Sequence, residues 1–175
     1  MRMNGFLLLI PFLLIRFGLL ALLNKDAVKR AAHFPPMQGN EIIVYWVYQV
    51  LNVVIFVYLC FLTVVIEASW PFYMGLVTYI FGLILCGASM VNFAAPSSEG
   101  LNLNGLYRFS RNPIYVSYFI YFAGCALLTQ SLLWFGLVFL FQIASHRLIL
   151  LEERWCVARF GEAYIQYMKK VRRYI

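Results

Sequence analysis

Three short groups of residues carry the chemistry this chain can offer. The first is Gly105-Leu106-Tyr107-Arg108-Phe109-Ser110-Arg111-Asn112-Pro113-Ile114-Tyr115. Asn is a favoured helix N-cap and Pro is favoured at the first helical position, so the Asn112-Pro113 pair predicts a helix starting there. The free N–H groups of such a helix start form an anion site, and Arg111 sets a planar guanidinium beside it. A plain capped helix with Arg111 at a lipid phosphate uses the same residues. The second group is Glu152-Glu153-Arg154, which holds the adjacent carboxylates of the chain. They sit just beyond an apolar run, where carboxylates are costly unless solvated or paired. Two readings fit them: a salt-bridged helix exit, or hydrogen-bond acceptors for a bound ligand. His146 and Glu153 share a helical face, as do Glu152 and Arg159. The third group is Phe160-Gly161-Glu162-Ala163-Tyr164-Ile165-Gln166-Tyr167.

The elements that must position these groups belong to a membrane. The chain is 63% hydrophobic and 12% charged, against about 45–50% and 25% in soluble domains. The apolar residues fall in blocks long enough to span a bilayer, which takes about 20 residues per helix. The net charge of +7 sits beside these blocks and in the tail, without an interleaved aromatic-basic face. Anionic lipid headgroups are therefore the expected counter-charge, not nucleic acid. Cys60, Cys86 and Cys125 lie inside apolar blocks, and His33 and His146 are far apart, so no metal site is expected.

Block one is Gly5–Leu23, read as a retained helix in which Pro11 introduces a kink. The polar and basic segment Asn24–Asn40, with Pro35-Pro36, reads as a surface loop with room for a short interfacial helix. Block two is Ile42–Ile66. Glu67–Pro71 is a short turn, with Trp70 at headgroup level. Block three is Phe72–Val91, with Gly75, Gly82, Cys86 and Ser89 on one face, suited to close helix packing or to cofactor room. A polar connection, Asn92–Asn112, follows. Pro113–Ser145 carries no charge and is too long for one crossing, so a turn at Thr129-Gln130-Ser131 divides it into a helical hairpin. The second helix continues into Glu152–Arg159, and the basic tail Glu162–Arg173 is suited to lie on the membrane surface.

The expected fold is all-α and polytopic. Five transmembrane helices form one membrane-embedded domain over 1–175, with three crossings in 1–92 and two in the ligand-binding part, 93–175. Twelve of the 14 basic residues then share one side. The positive-inside rule makes that side cytoplasmic and puts the N-terminus outside. Arg16, inside block one, is an anomaly. It can snorkel to the surface, pair within the protein, or meet an anionic lipid or substrate.

In order and spacing, the three groups resemble the integral-membrane methyltransferases typified by isoprenylcysteine carboxyl methyltransferase and the phospholipid N-methyltransferases. The resemblance runs from about Gly100 to Arg173. It implies methyl transfer from S-adenosylmethionine (SAM), taken from the cytoplasm, to a lipophilic or lipidated substrate arriving from the bilayer. It further implies that Tyr107, Asn112, Pro113, Ile114, Tyr115 and Glu152 or Glu153 line a SAM pocket. Arg111 and the helix start would suit the methionine carboxylate, and Arg147 would meet the substrate's polar end. No catalytic residue is assigned. Asn112 stands where many members have His, and block three lacks the G-x-G of the phospholipid members. Two rivals are a membrane NADPH-dependent reductase of the sterol-reductase type and a non-enzymatic lipid-binding protein.

Overall fold

A computed structural model of the chain describes residues 2–37, 39–97 and 100–175. Helix α1 spans Phe6–Leu23. It continues through Pro11 and then widens into a π-helical turn at Leu14–Leu19. Helix α2, Lys25–Ala31, is capped by the Asn24 side chain, which accepts from the Asp26 and Ala27 N–H groups. Long helices α3 (Glu41–Phe61) and α4 (Trp70–Ala94) follow. Then come α5 (Pro113–Thr129), α6 (Leu132–Phe160) and the short α7 (Glu162–Lys170). Among the described residues, α1, α3, α4 and α6 are long and apolar enough to cross a membrane. Helix α5 is apolar but has 17 residues.

Several boundaries follow the local chemistry. Helix α5 begins at Pro113. The hairpin turn falls at Gln130, the one non-glycine residue at positive φ among the described residues, and Ser131 caps α6 by accepting from the Trp134 N–H. Block two ends differently from expectation. Its helix stops at Phe61, and Thr63–Val65 forms a strand, β2, antiparallel to β1 at Arg2–Asn4. Three β-branched residues in a row favour that extended pairing. Trp70 belongs to the first turn of α4 instead of the preceding loop.

The small-residue face of α4 serves packing. A Cβ on Gly82 would lie 2.5 Å from the Tyr121 nitrogen. Gly124 of α5 reciprocates, since its Cβ would lie 2.5 Å from the Tyr79 nitrogen. Close backbone approach of this kind supplies the dispersion that holds helices together in lipid. Helix α1 joins the pair through hydrogen bonds. The Tyr79 and Tyr121 hydroxyls both donate to the Leu8 carbonyl, at 3.0 and 2.9 Å. Phe12 stacks on Tyr121 with ring centroids 4.3 Å apart.

The tail does not present its apolar face to lipid, contrary to the sequence expectation. Tyr164 and Tyr167 on α7 pack with Leu101, against Cys156, Val157, Phe160 and Met168. The apolar stripe that a membrane surface would take is already buried against α6 and the 101–107 segment.

Candidate active site

The site is built where the polar connection, the start of α5, the end of α6 and the tail meet. Gly105 sits at φ +56° beside the Asn92 side chain, which accepts from the Leu106 N–H at 2.8 Å. A Cβ at Gly105 would strike that carboxamide, so the turn Gly105–Arg108 can dock on α4 only with glycine there. Docking buries Tyr107, whose carbonyl accepts from the Tyr167 hydroxyl at 2.6 Å. Burial pushes the Tyr107 and Tyr164 phenols well above their ordinary range. Gly161 ends α6 at φ +56° and turns the chain into α7, which carries Tyr164 and Tyr167 back under the end of α6.

Beyond α7 the tail runs beside the start of α5. The Arg111 N–H donates to the Arg172 carbonyl at 2.9 Å. Arg173 then donates to Glu153 Oε2 from Nε at 3.0 Å and Nη2 at 2.8 Å. On the other oxygen, Arg111 Nε forms an ion pair at 3.2 Å without hydrogen-bond alignment. Glu153 is only 4% exposed, and a carboxylate so placed needs these partners. In return, the Glu153 hydrogen bond raises the Arg173 pKa. The Asn112 side chain joins the same knot, donating from Nδ2 to Glu153 Oε1 at 3.4 Å and to the Arg173 carbonyl at 3.2 Å. Asn112 therefore holds the N-cap position without a side-chain cap bond. Its carboxamide is drawn to the buried carboxylate instead. His146 does not meet Glu153 across their shared face; its Nδ1 lies 2.6 Å from the Tyr174 hydroxyl, on the same tail.

Glu152 is placed otherwise. Its Oε1 accepts one hydrogen bond, from the Tyr115 hydroxyl at 2.8 Å. A carboxyl group can accept more hydrogen bonds than this one, and Glu152 faces a cavity of about 650 Å³. That volume lies within the range of small-molecule sites. Tyr107, Arg111, Asn112, Ile114, Tyr115, Glu152 and Glu153 all contribute to its wall. Pro113 is buried at the helix start and is not part of the wall, and Arg147 lies exposed on α6 away from it. Residues 31–35 cover one side. They are held by Arg30 Nη2 on the Phe93 carbonyl at 2.7 Å and by the packing of His33 on Trp155.

The wall also contains residues that the sequence did not assign. Tyr118 lies one turn beyond Tyr115, and Tyr48 comes from α3. Arg16, which the sequence marked as a charge inside an apolar helix with an anionic lipid or substrate among its possible partners, enters from α1. Nothing in the sequence separates Arg173 from the other basic residues of the tail.

Residues 86–163 match a family model described as phospholipid methyltransferase. The chain is also similar to the protein-S-isoprenylcysteine O-methyltransferase of Schizosaccharomyces pombe. The two are 42% identical over 71 residues, a stretch that covers 39% of this chain and 29% of the relative. The chain thus matches less than a third of that relative's length. No solved structure matches the chain. Its long apolar helices, together with the family match, make it an integral membrane protein.

Proposed function

We propose, from the match of residues 86–163 to the phospholipid methyltransferase family model, that the protein transfers a methyl group from SAM to a lipophilic acceptor reaching the cavity from the bilayer. The observation that carries this reading is Glu152, held by Tyr115 on the wall of the cavity with acceptor capacity to spare. SAM supplies a methyl on a sulfonium cation, which moves to a nucleophile by in-line displacement as the S–C bond breaks and neutral S-adenosylhomocysteine is left. Glu152 suits the donors of such a ligand, its amino and ribose hydroxyl groups, and lends negative potential near the positive sulfur. Tyr107 and Tyr115 contribute aromatic rings to the wall, and such rings also attract cations. Arg111 and the first N–H groups of α5 suit the ligand's carboxylate.

The rate in this reading comes from alignment and exclusion of water, not from a resident base. Asn112 cannot titrate near neutrality, and its carboxamide is engaged by Glu153 and the Arg173 carbonyl. Residues 31–35 and the Tyr164–Tyr167 floor line two sides of the cavity. The expected result is saturable binding of SAM, without NADPH, to the purified full chain in detergent. Binding of NADPH alone would assign a reductase, and binding of neither a lipid-binding role.

The same reading has five crossings. Helix α5, with 17 residues, rises about 26 Å and so lies at the lower limit for a span. The N-terminus is then outside, and Lys25 and Lys170 share the cytoplasmic side with the cavity, opposite Glu67. Cysteines introduced at 25 and 170 should react with an impermeant reagent from the cytoplasmic side, and one at 67 from the other. Labelling of 25 and 170 from opposite sides would refute the five-helix arrangement.

A further inference from the structure

Arg16 is a charge at membrane depth with a place in the cavity and no carboxylate to meet it. A charged side chain inside a bilayer faces a partner or a polar cavity, because lipid is so unfavourable to it. Among the described residues the carboxylates lie elsewhere. Asp26 pairs with Lys29, Glu41 with Arg154, and Glu153 with Arg111 and Arg173. Glu152 is held by Tyr115, Glu162 by Gln166, and Glu67 is exposed in the α3–α4 connection. The Arg16 guanidinium rests instead against two rings, 5.0 Å from the Tyr118 centroid and 5.2 Å from that of Phe17. Tyr48 stands beside it. Ring faces hold a guanidinium by its plane, and one phenol oxygen can occupy few of its five N–H donors.

The backbone is shaped around this residue. Arg16 lies within the π-helical turn Leu14–Leu19, a distortion often found at functional sites. Snorkelling to the headgroups would need about 10 Å along α1 from Arg16 to Leu23. The side chain instead lines the cavity, with Tyr118 one helical turn from the Tyr115 that holds Glu152. The wall thus changes sign along α5, from a carboxylate at Tyr115 to a guanidinium at Tyr118.

We propose that Arg16 selects the acceptor by binding an anionic group on it, a carboxylate carried by a single-chain amphiphile. The word acceptor rests on methyl transfer; the anion site does not, and its test omits SAM. Failure here therefore leaves methyl transfer standing, and failure to bind SAM leaves this site standing. The full chain in a nonionic detergent is titrated with radiolabelled tetradecanoate and with its neutral methyl ester. Wild type should bind the acid about ten- to a hundredfold more tightly, as expected for a charge-assisted hydrogen bond. Arg16→Gln should lose that preference while ester affinity holds, and Arg16→Lys should keep part of it. Equal binding of acid and ester by wild type overturns the proposal, even if the Gln variant does not fold. So does a Gln variant that retains the preference. Displacement of tetradecanoate by dioleoylphosphatidylglycerol as readily as by unlabelled tetradecanoate would assign Arg16 to bulk anionic lipid, and it too overturns the acceptor assignment.

Discussion

Glu153→Gln should cost the protein about 3–5 kcal/mol of stability, the usual penalty for removing one partner of a buried ion pair. The variant leaves Arg111, with a side chain 8% exposed, facing a neutral amide, and it withdraws the counter-charge from Arg173. It also weakens the Asn112 contact that fixes the start of α5. The tail beyond α7 should then detach from residues 110–112, because Arg173 is one of its main anchors. Arg173→Ala should be milder, since that side chain is about a third exposed and solvent screens its share. Thermal and denaturant melting in detergent reads both variants. Wild-type stability in Glu153→Gln would mean that the knot of charges contributes nothing.

Glu152→Gln should give the opposite pattern. Folding is expected to survive, because the protein makes one hydrogen bond to this group and the Gln carbonyl can still accept it from Tyr115. SAM affinity should fall about ten- to more than a hundredfold, matching the roughly 1.5–3 kcal/mol of a hydrogen bond to a charged group. Neighbouring carboxylates thus receive separate tasks, one for the fold and one for the ligand. The pair of titrations, with melting as the folding control, distinguishes them. Unchanged SAM affinity in Glu152→Gln would take the carboxylate out of the cofactor site.

The two glutamates also mark the limit of what the sequence discloses. Adjacent residues on a helix point about 100° apart, so one of the pair had to leave the face of the other. Which one meets two arginines depends on where residues 171–174 run, and an extended tail has no periodicity to read. The helix start at Pro113 and the hairpin turn at Gln130 were legible because they rest on local chemistry: Asn-Pro, and a polar break in an apolar run. The role of the Asn112 side chain was not, since a buried carboxylate 41 residues away competes for it. Block two was read as helix up to Ile66 because hydropathy does not distinguish helix from strand, and β2 exists only where β1 lies alongside. The face of Gly75 and Gly82 was visible on α4, but its complement, Gly124 on α5, becomes meaningful only when the two helices are set together.

The position of Arg16 carries a consequence for how the protein is made. Tyr118, whose ring later shelters the guanidinium, lies about a hundred residues downstream. At roughly 5–20 residues per second, the ribosome needs about 5–20 s to deliver it. During that interval α1 resides in the bilayer with its arginine lacking the Tyr118 ring, at a cost of up to about 2.5–3.5 kcal/mol on the insertion scale. Apart from Arg16, Phe6–Leu23 is entirely uncharged. Its leucines, isoleucines and phenylalanines each return about 0.3–0.6 kcal/mol on the same scale, enough to keep the first helix in the membrane until its neighbours emerge.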